Sequence, residues 1–282
     1  MTQPTISEID GLPALAVLEG GWRDEYANVI EAHDLAALSI MVRGGDLSFL
    51  ARLPALRGLV LNAGEVRDLG PVSQLRGLET LTLNTVSKPR MELDFTAFPH
   101  LRTLRMYFNA GFESVFACTS LESLFVFGPP DPDLTRFGAL PALRRLELSQ
   151  GRKVTSTAGV GANVEFLGLY MQGALEALDG LPAGLTVLAI EGAKKLEALP
   201  ALPSRLTRLK VANCGDIASL APLRGLDQLE EFFAWESTKV LDGDLSVLLE
   251  LPRLRSIGLR DRREYRPRVP EIEEALRGRH GG

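Results

Sequence analysis

A six-residue motif, L-x-x-L-x-L, recurs along most of the chain and restricts the possible folds more than any other feature. Its eleven copies begin at residues 35, 56, 78, 101, 121, 143, 164, 185, 206, 229 and 254. The start-to-start spacing lies between 20 and 25 residues, and all 33 anchor positions are apolar in a chain that is 45% hydrophobic. One copy is too short to bury its own apolar face. The regular spacing therefore indicates stacked repeats that share a continuous core.

The array, which covers residues 35–259, resembles the leucine-rich-repeat protein family. Typical copies are LETLTL at 78, LESLFV at 121 and LRRLEL at 143. The short spacing is similar to that of the bacterial, internalin-like class. This resemblance implies an α/β repeat solenoid, a right-handed horseshoe with about 11 parallel strands on its concave face, one for each copy. Because terminal repeats need covers, we predict an N-terminal cap over residues 1–34 and a C-terminal cap and tail over residues 260–282.

The segments between the strands have a period of their own. In DLSFLARLPAL the apolar residues Leu47, Leu50, Leu53 and Leu56 occupy every third position. This period is too short for an α-helix and fits a 3₁₀ helix, in which residues i and i+3 lie on one face. The convex side is therefore predicted to be 3₁₀ or irregular. Longer helices are expected only in the caps, near residues 24–33 and in PEIEEALRGR at 270–279.

The sequence departs from the family pattern at one position. The family has Asn or Cys three residues after the last strand anchor, where the side chain bonds the turning backbone. Asn109 and Cys214 occupy this position here, whereas other copies have Arg43, Gly64, Val86, Pro129, Gly151, Gln172 and Ala193. We therefore expect no continuous ladder of side-chain hydrogen bonds along the turns.

Reactive groups do not converge in this sequence. His33, His100 and His280 lie in the first cap, one repeat and the tail, and Cys118 and Cys214 are far apart. We expect no catalytic site, no metal site and no cofactor. Two separated cysteines favour a reducing cytoplasm. The net charge of −5 argues against a nucleic-acid partner, and the lack of any run of 18 apolar residues argues against a membrane span.

Aromatic residues are concentrated between the strand anchors, on the face predicted to be concave. Strand residues alternate, so three positions per repeat point away from the core. Seven of these 33 positions, about 21%, are aromatic, against 6% of the whole chain. They are Tyr107, Phe125, Phe127, Phe166, Tyr170, Phe233 and Trp235, with Arg105, Arg145, Arg208 and Lys210 among them. Aromatic anchors with neighbouring cations are typical of protein interfaces, so these eleven residues are the predicted partner-binding set.

A second group of cations follows the last repeat. Arg260, Arg262, Arg263, Arg266 and Arg268 surround Tyr265 in RDRREYRPR. One interpretation is a basic patch that contacts an anion or an acidic partner, because guanidinium groups bind carboxylates and phosphates in pairs. The other is a solvated cap surface that Asp261 and Glu264 partly neutralise. The sequence leaves both interpretations open.

These patterns favour a non-catalytic protein–protein interaction module that binds a protein or peptide through the aromatic face. The main alternative is a solenoid that binds carbohydrate or another small ligand on the same rings, and an enzyme is the least favoured class. A homo-oligomer contact at this face is possible but less favoured. Cover of the rings by the chain itself is a further alternative.

Overall fold

The computed structural model describes residues 4–85 and 90–280 of the chain. Thirteen strands lie in the described part of the chain, and each is four to six residues long. They are β1 (Thr5–Ile9), β2 (Leu12–Val17), β3 (Ala37–Met41), β4 (Gly58–Ala63), β5 (Thr80–Thr85), β6 (Thr103–Tyr107), β7 (Ser123–Phe127), β8 (Arg145–Ser149), β9 (Phe166–Tyr170), β10 (Val187–Glu191), β11 (Arg208–Ala212), β12 (Glu231–Ala234) and β13 (Ser256–Leu259).

The chain divides into two compact units. The first unit comprises Met1–Phe127 with Ala139–Leu143, and the second comprises Gly128–Gly138 with Arg144–Gly282. Strands β1–β7 belong to the first unit and β8–β13 to the second, and within each unit the strands follow sequence order. Neighbouring strands run parallel, except that β1 is antiparallel to β2. Parallel strands that succeed one another in sequence order are what the repeat pattern predicts.

Strands β3 to β13 correspond one to one with the eleven copies of the motif. Register aligns the anchors of successive copies, as in Leu188 beside Leu209 and Ile190 beside Val211. These four anchors are fully or almost fully buried. The prediction of about 11 repeat strands is confirmed, and the β1–β2 hairpin, which precedes the array, brings the total in the described residues to thirteen.

The segments between repeat strands are 3₁₀ turns or irregular chain, as predicted, and two of them contain a single-turn α-helix that was not predicted. The 3₁₀ segments are η1 (Ser48–Arg52), η2 (Gly70–Gln74), η3 (Phe95–Ala97), η4 (Glu113–Ala117) and η5 (Ala221–Leu223), and two single-turn α-helices are α2 (Thr135–Gly138) and α3 (Val247–Glu250). Leu47, Leu50, Leu53 and Leu56 are all buried, because a period of three keeps their side chains on one face.

The first cap contains a hairpin that the repeat periodicity does not predict. Asp10 and Gly11 form its turn with φ angles of 47° and 83°, and two successive positive φ values are the mark of a type I′ turn. Behind the turn, Leu12 and Ala14 pack against Ala37 of β3. The dipeptide Asp-Gly between two apolar runs was the available signal. The expected helix follows as α1 (Glu25–Ala32), which buries Tyr26 and Ile30.

The last described helix, α4 (Val269–His280), covers the end of the second unit. Its residues Val269, Ile272 and Leu276 are buried. Arg279 donates hydrogen bonds to the carbonyl oxygens of Leu249 and Leu251 at the end of α3. These carbonyls lack partners within so short a helix, so the arginine satisfies them.

The turn position occupied by Asn or Cys in the family has several solutions here. Asn109 accepts hydrogen bonds from the backbone N–H groups of Met91 and Gly111, and the Cys214 thiol donates to the carbonyl of Ala212. Gln172 also bonds the backbone, since its Nε2 donates to the carbonyls of Leu148 and Tyr170. Gln172 therefore bonds the turning backbone as Asn or Cys does at this position of the family pattern. Val86 lies outside the described residues.

Candidate partner-binding face

Residues between the strand anchors lie on the side of the sheet opposite the core, here called the strand face. In β7, for example, Leu124 and Val126 are buried, whereas Ser123, Phe125 and Phe127 are partly exposed. This alternation follows from the pleat of the strand. The seven predicted aromatic residues divide between the two units, and each group is described within its own unit.

In the first unit, three aromatic rings form one cluster. Tyr107 of β6 pairs in register with Phe127 of β7. Their rings stack with centroids 4.5 Å apart and planes 11° from parallel. Phe125 meets Phe127 edge to face at 4.8 Å. Tyr107 keeps 36% of its surface exposed, so the cluster is ordered by its own contacts and still reaches solvent.

The cation predicted beside this cluster is already paired. Arg105 donates two hydrogen bonds to the Asp10 carboxylate, at 2.8 and 3.0 Å, and Thr80 donates a third at 2.5 Å. The bond from Arg105 is the main reason that the pKa of Asp10 lies below its usual value. Asp10 belongs to the β1–β2 turn, which therefore crosses the strand face at β5 and β6. Arg105 thus holds the first cap in place.

In the second unit, four residues of β8 and β9 form a connected network. The Arg145 guanidinium lies 3.5 Å from the centre of the Phe166 ring, and its Nε donates to Glu147 at 2.8 Å. The Tyr170 hydroxyl donates to the other oxygen of Glu147 at 3.1 Å. Burial, and then the Glu147 charge, raise the pKa of Tyr170 to about 12, so the phenol remains protonated at neutral pH.

The two remaining predicted cations also have carboxylate partners. Arg208 of β11 donates to both oxygens of Glu231 on β12, at 2.5 and 2.9 Å. Lys210 donates to Glu191 of β10 at 2.7 Å. All four predicted strand-face cations therefore form ion pairs within their own unit. Their charges are largely neutralised before any partner arrives.

Phe233 and Trp235 form the second aromatic group of the second unit. Their rings meet with centroids 5.6 Å apart and planes at 67°. Trp235 keeps 51% of its surface exposed, more than any of the other six aromatic residues in the predicted set. The indole of Trp235 lies directly over Gly258 of β13, and the Tyr170 ring lies directly over Gly168. A β-carbon at either glycine would overlap the ring. Because glycine has no side chain, each ring packs directly on the strand backbone.

The arginines after the last repeat have different surroundings. Tyr265, which they surround in sequence, is only 1% exposed and its hydroxyl accepts a hydrogen bond from the backbone N–H of Val240. Arg268 pairs with Asp261, and Arg266 donates to two backbone carbonyls. Arg262 is half-buried.

Arg260 and Arg263 remain exposed, and within the described residues neither forms an ion pair. The five arginines predicted as one basic patch therefore separate into structural and solvent-facing groups.

A cleft in the first unit was not anticipated from the sequence. It has a volume of about 960 Å³ and opens between the chain after β2 and the chain after β3. Trp22 stacks on Phe49 at 4.6 Å in its wall, and Arg43, Arg52 and Asp24 line its mouth. Asp24 and Arg52 pair at 2.6 Å. The glycine pairs that bend these two segments, at 20–21 and 44–45, were the available signal.

Across residues 4–85 and 90–280, no cluster of three or more His, Cys, Asp or Glu side chains has a metal-binding arrangement. In the same residues, every helix is too short or too polar to cross a bilayer. Cys118 and Cys214 are free and buried, and burial raises the pKa of each thiol. Neither thiol therefore has the lowered pKa that marks a reactive cysteine.

One short strand per repeat, consecutive parallel pairing and 3₁₀ segments between strands define a leucine-rich-repeat fold. No family model matches the sequence, and no curated protein matches it. An internalin of Listeria monocytogenes, InlF, has a similar solved structure, at 18% identity and a TM-score of 0.57, over 84% of this chain and 73% of that one. The predicted leucine-rich-repeat fold is thereby confirmed.

Two further solved structures share more distant similarity. A leucine-rich-repeat protein of Leptospira interrogans is 14% identical with a TM-score of 0.48, over 86% of this chain and 81% of that one. Internalin C2 of Listeria monocytogenes is 17% identical with a TM-score of 0.42, over 75% and 84% of the two chains. The fold assignment rests on InlF, and similarity at these identities concerns the fold alone.

Proposed function

We propose that the chain is a non-catalytic interaction module that binds a protein or peptide through the aromatic residues of its strand face. The observation that carries the proposal is the exposure of rings whose positions are already fixed. Trp235 keeps 51% of its surface exposed while it packs on Phe233 and the backbone at Gly258. An exposed tryptophan held in one place offers a large contact area at small entropic cost.

The paired cations support this proposal in a specific way. A partner that approaches Arg208 or Lys210 meets a neutral ion pair, because Glu231 and Glu191 already bind them. Breaking such a pair would leave one charge without compensation during docking. We therefore propose that these cations stabilise the strands around the rings. The rings themselves would then contribute most of the binding energy.

The alternative ligand, a carbohydrate, is less well supported. Sugar recognition needs free polar groups beside an aromatic platform, since hydroxyl groups must exchange their water for protein partners. Around Tyr170, both oxygens of Glu147 are occupied by Arg145 and Tyr170. Both oxygens of Glu231 are likewise occupied by Arg208. An extended apolar surface suits a peptide or protein better.

The proposal includes the compartment expected from the sequence, the cytoplasm. Its support is that Cys118 and Cys214 are both free thiols in buried positions. A reducing environment preserves such thiols without further protection.

The test compares proteins recovered on immobilised wild-type chain with those recovered on a variant carrying Phe127→Ser, Tyr170→Ser and Trp235→Ser. Each recovered protein is then purified and its affinity for both chains is measured by calorimetry. We expect the triple variant to bind at least about tenfold more weakly, since each aromatic hot spot contributes about 2 kcal/mol or more.

The matched control is Leu241→Ser, which removes an exposed apolar side chain that is 62% accessible and lies outside the strands. This variant should bind like the wild type. If the triple variant folds, as judged by circular dichroism, and binds with unchanged affinity, the proposal is wrong.

A further inference from the structure

We infer that the end of the strand face at Trp235 and Arg260, with the exposed Arg263 three residues further along the chain, recognises an acidic peptide segment that also carries apolar side chains. This inference rests on the proposed function and names the chemistry of the partner. The contact combines an exposed ring with exposed guanidinium groups. Elsewhere on the strand face, the predicted cations are paired.

Sheet register places Arg260 beside Trp235. Ala234 and Leu259, the last residues of β12 and β13, pair in register, and Trp235 and Arg260 are the residues that directly follow these two strand ends. Neighbouring strands lie about 4.8 Å apart, so one short peptide segment can contact both side chains. Gly258, two residues before Arg260, carries the indole of Trp235.

Charge distribution distinguishes this part of the face from the rest. Arg105, Arg145, Arg208 and Lys210 each pair with a carboxylate of their own unit. Arg260 and Arg263 are exposed, and within the described residues they form no ion pair. Asp261, which lies between them in sequence, binds Arg268 instead. The exposed carboxylates of Glu236 and Glu264 follow Trp235 and Arg263 in the chain, and neither forms an ion pair with these arginines within the described residues. The guanidinium groups of Arg260 and Arg263 are therefore available to a partner.

Carboxylates are the complement of this arrangement. A guanidinium group can donate two parallel hydrogen bonds to one carboxylate, and charge-assisted bonds are about twice as strong as neutral ones. An apolar side chain next to the acid can pack on the exposed indole. A nucleic acid fits less well, because it needs a longer positive track and the chain has a net charge of −5.

The test uses three synthetic peptides that differ only in charge. All contain two leucines, and the other side chains are glutamate, glutamine or lysine; binding is measured by fluorescence anisotropy of a terminal label. We expect the glutamate peptide to bind at least about tenfold more tightly than the glutamine peptide, and the difference to shrink in high salt. The lysine peptide should bind most weakly.

Two variants locate the effect. Arg260→Gln with Arg263→Gln should remove the preference for glutamate over glutamine. Arg152→Gln is the matched control, since Arg152 is exposed in the turn after β8 and forms no ion pair within the described residues. Trp235→Ser should weaken the glutamate and glutamine peptides by the same factor, because it removes the apolar contact that both share.

The possible results separate the inference from the proposed function. Equal binding of the glutamate and glutamine peptides, with loss of both in Trp235→Ser, overturns the acidic preference and retains the aromatic face. A glutamate preference that depends on the arginines and is indifferent to Trp235→Ser overturns the combined site and the ring's role in it. Absence of binding by all three peptides, or displacement of the glutamate peptide by an equally charged oligonucleotide at lower concentration, also overturns the inference.

Discussion

The indole of Trp235 lies so close over Gly258 that a β-carbon added to the glycine would stand 1.9 Å from the indole nitrogen. A real β-carbon does not approach another atom so closely. Tyr170 has the same relationship with Gly168, where the added carbon would stand 2.8 Å from the hydroxyl oxygen. In both cases a glycine on the strand face lets a ring lie flat. Because Gly258 and Gly168 have no side chains, the two rings that the proposed partner would contact can pack flat against the backbone in one orientation.

Substitution Gly258→Ala is therefore expected to displace the indole of Trp235. Trp235 is half exposed and can move towards solvent, so we expect a loss of stability of only about 1 kcal/mol. The emission maximum of tryptophan fluorescence should shift to longer wavelength, because the displaced indole is more exposed to water. The measurement uses a Trp22→Phe background, because the chain has two tryptophans.

Gly173→Ala serves as the control for that substitution. A β-carbon at Gly173 would meet nothing within 4 Å, and its backbone does not have a positive φ. The control should leave both fluorescence and stability unchanged. An unchanged emission spectrum in Gly258→Ala would contradict the contact.

The Tyr170 phenol predicts a dependence of stability on alkaline pH. Its pKa in the folded chain is raised to about 12, whereas the ordinary value is 10. Between these two values the unfolded chain releases the proton and the folded chain retains it. Stability therefore falls as pH rises through this window. Because the ring is only half-buried, solvent screening limits the effect to less than about 1 kcal/mol.

Urea denaturation of the wild type and Tyr170→Phe at pH 9 and pH 11 measures this difference. The wild type should lose more stability over this interval than Tyr170→Phe. Titration of phenolate absorbance in the two proteins gives an independent value for Tyr170. Ionisation of Tyr170 near pH 10 would contradict the burial of the phenol beside Glu147.

The pair between Arg208 and Glu231 predicts a dependence on acidic pH. The hydrogen bond from Arg208 lowers the pKa of Glu231 below its ordinary value of 4.5. The pair therefore stabilises the folded chain above that pH, and its contribution is lost as pH falls through the lowered pKa. Arg208→Met should be less stable than the wild type at pH 7, by at most about 1 kcal/mol for so exposed a pair.

The difference between Arg208→Met and wild type should vanish in acid, as measured by urea denaturation from pH 7 down to the limit of folding. Arg253→Met is the control, because Arg253 bonds the neutral side chain of Gln228 and involves no titrating group. Its effect on stability should be independent of pH. A constant difference for Arg208→Met over the whole range would contradict the assigned pair.

The repeat pattern was sufficient to predict the fold, because the same three anchors recur in every copy. Leu188 and Ile190 of β10 are buried as their positions require. The period of three likewise predicted the 3₁₀ segments. The β1–β2 hairpin lies outside the repeats, so no periodicity revealed it, and only the Asp-Gly dipeptide pointed to it.

The candidate face was predictable as a set of positions and not as a set of contacts. Alternation identified Tyr107 and Phe127 as neighbours on one face, and register brings them into stacking contact. The pairing of Arg105 with Asp10 depends on where the hairpin turn crosses the sheet, which no local pattern encodes. No local pattern encodes the burial of Tyr265 or the pairing of Arg268 with Asp261, which separate the structural arginines from the exposed ones.

The close contact between Gly151 and Gln172 gives a prediction for the core. A β-carbon at Gly151 would stand 1.8 Å from Oε1 of Gln172, a residue with 0% of its surface exposed. Gln172 cannot move away without losing its two hydrogen bonds to the carbonyls of Leu148 and Tyr170. Gly151→Ala should therefore lower the free energy of unfolding by about 1–3 kcal/mol, as overpacking does in a tight interior.

A double-mutant cycle with Gln172→Ala separates this contact from a general effect of alanine at position 151. With the glutamine side chain removed, the loss caused by Gly151→Ala should shrink, because the added methyl group then occupies vacated space. Equilibrium denaturation of the four proteins in the cycle gives the coupling free energy. Strictly additive losses would show that Gln172 does not fill the space beside Gly151.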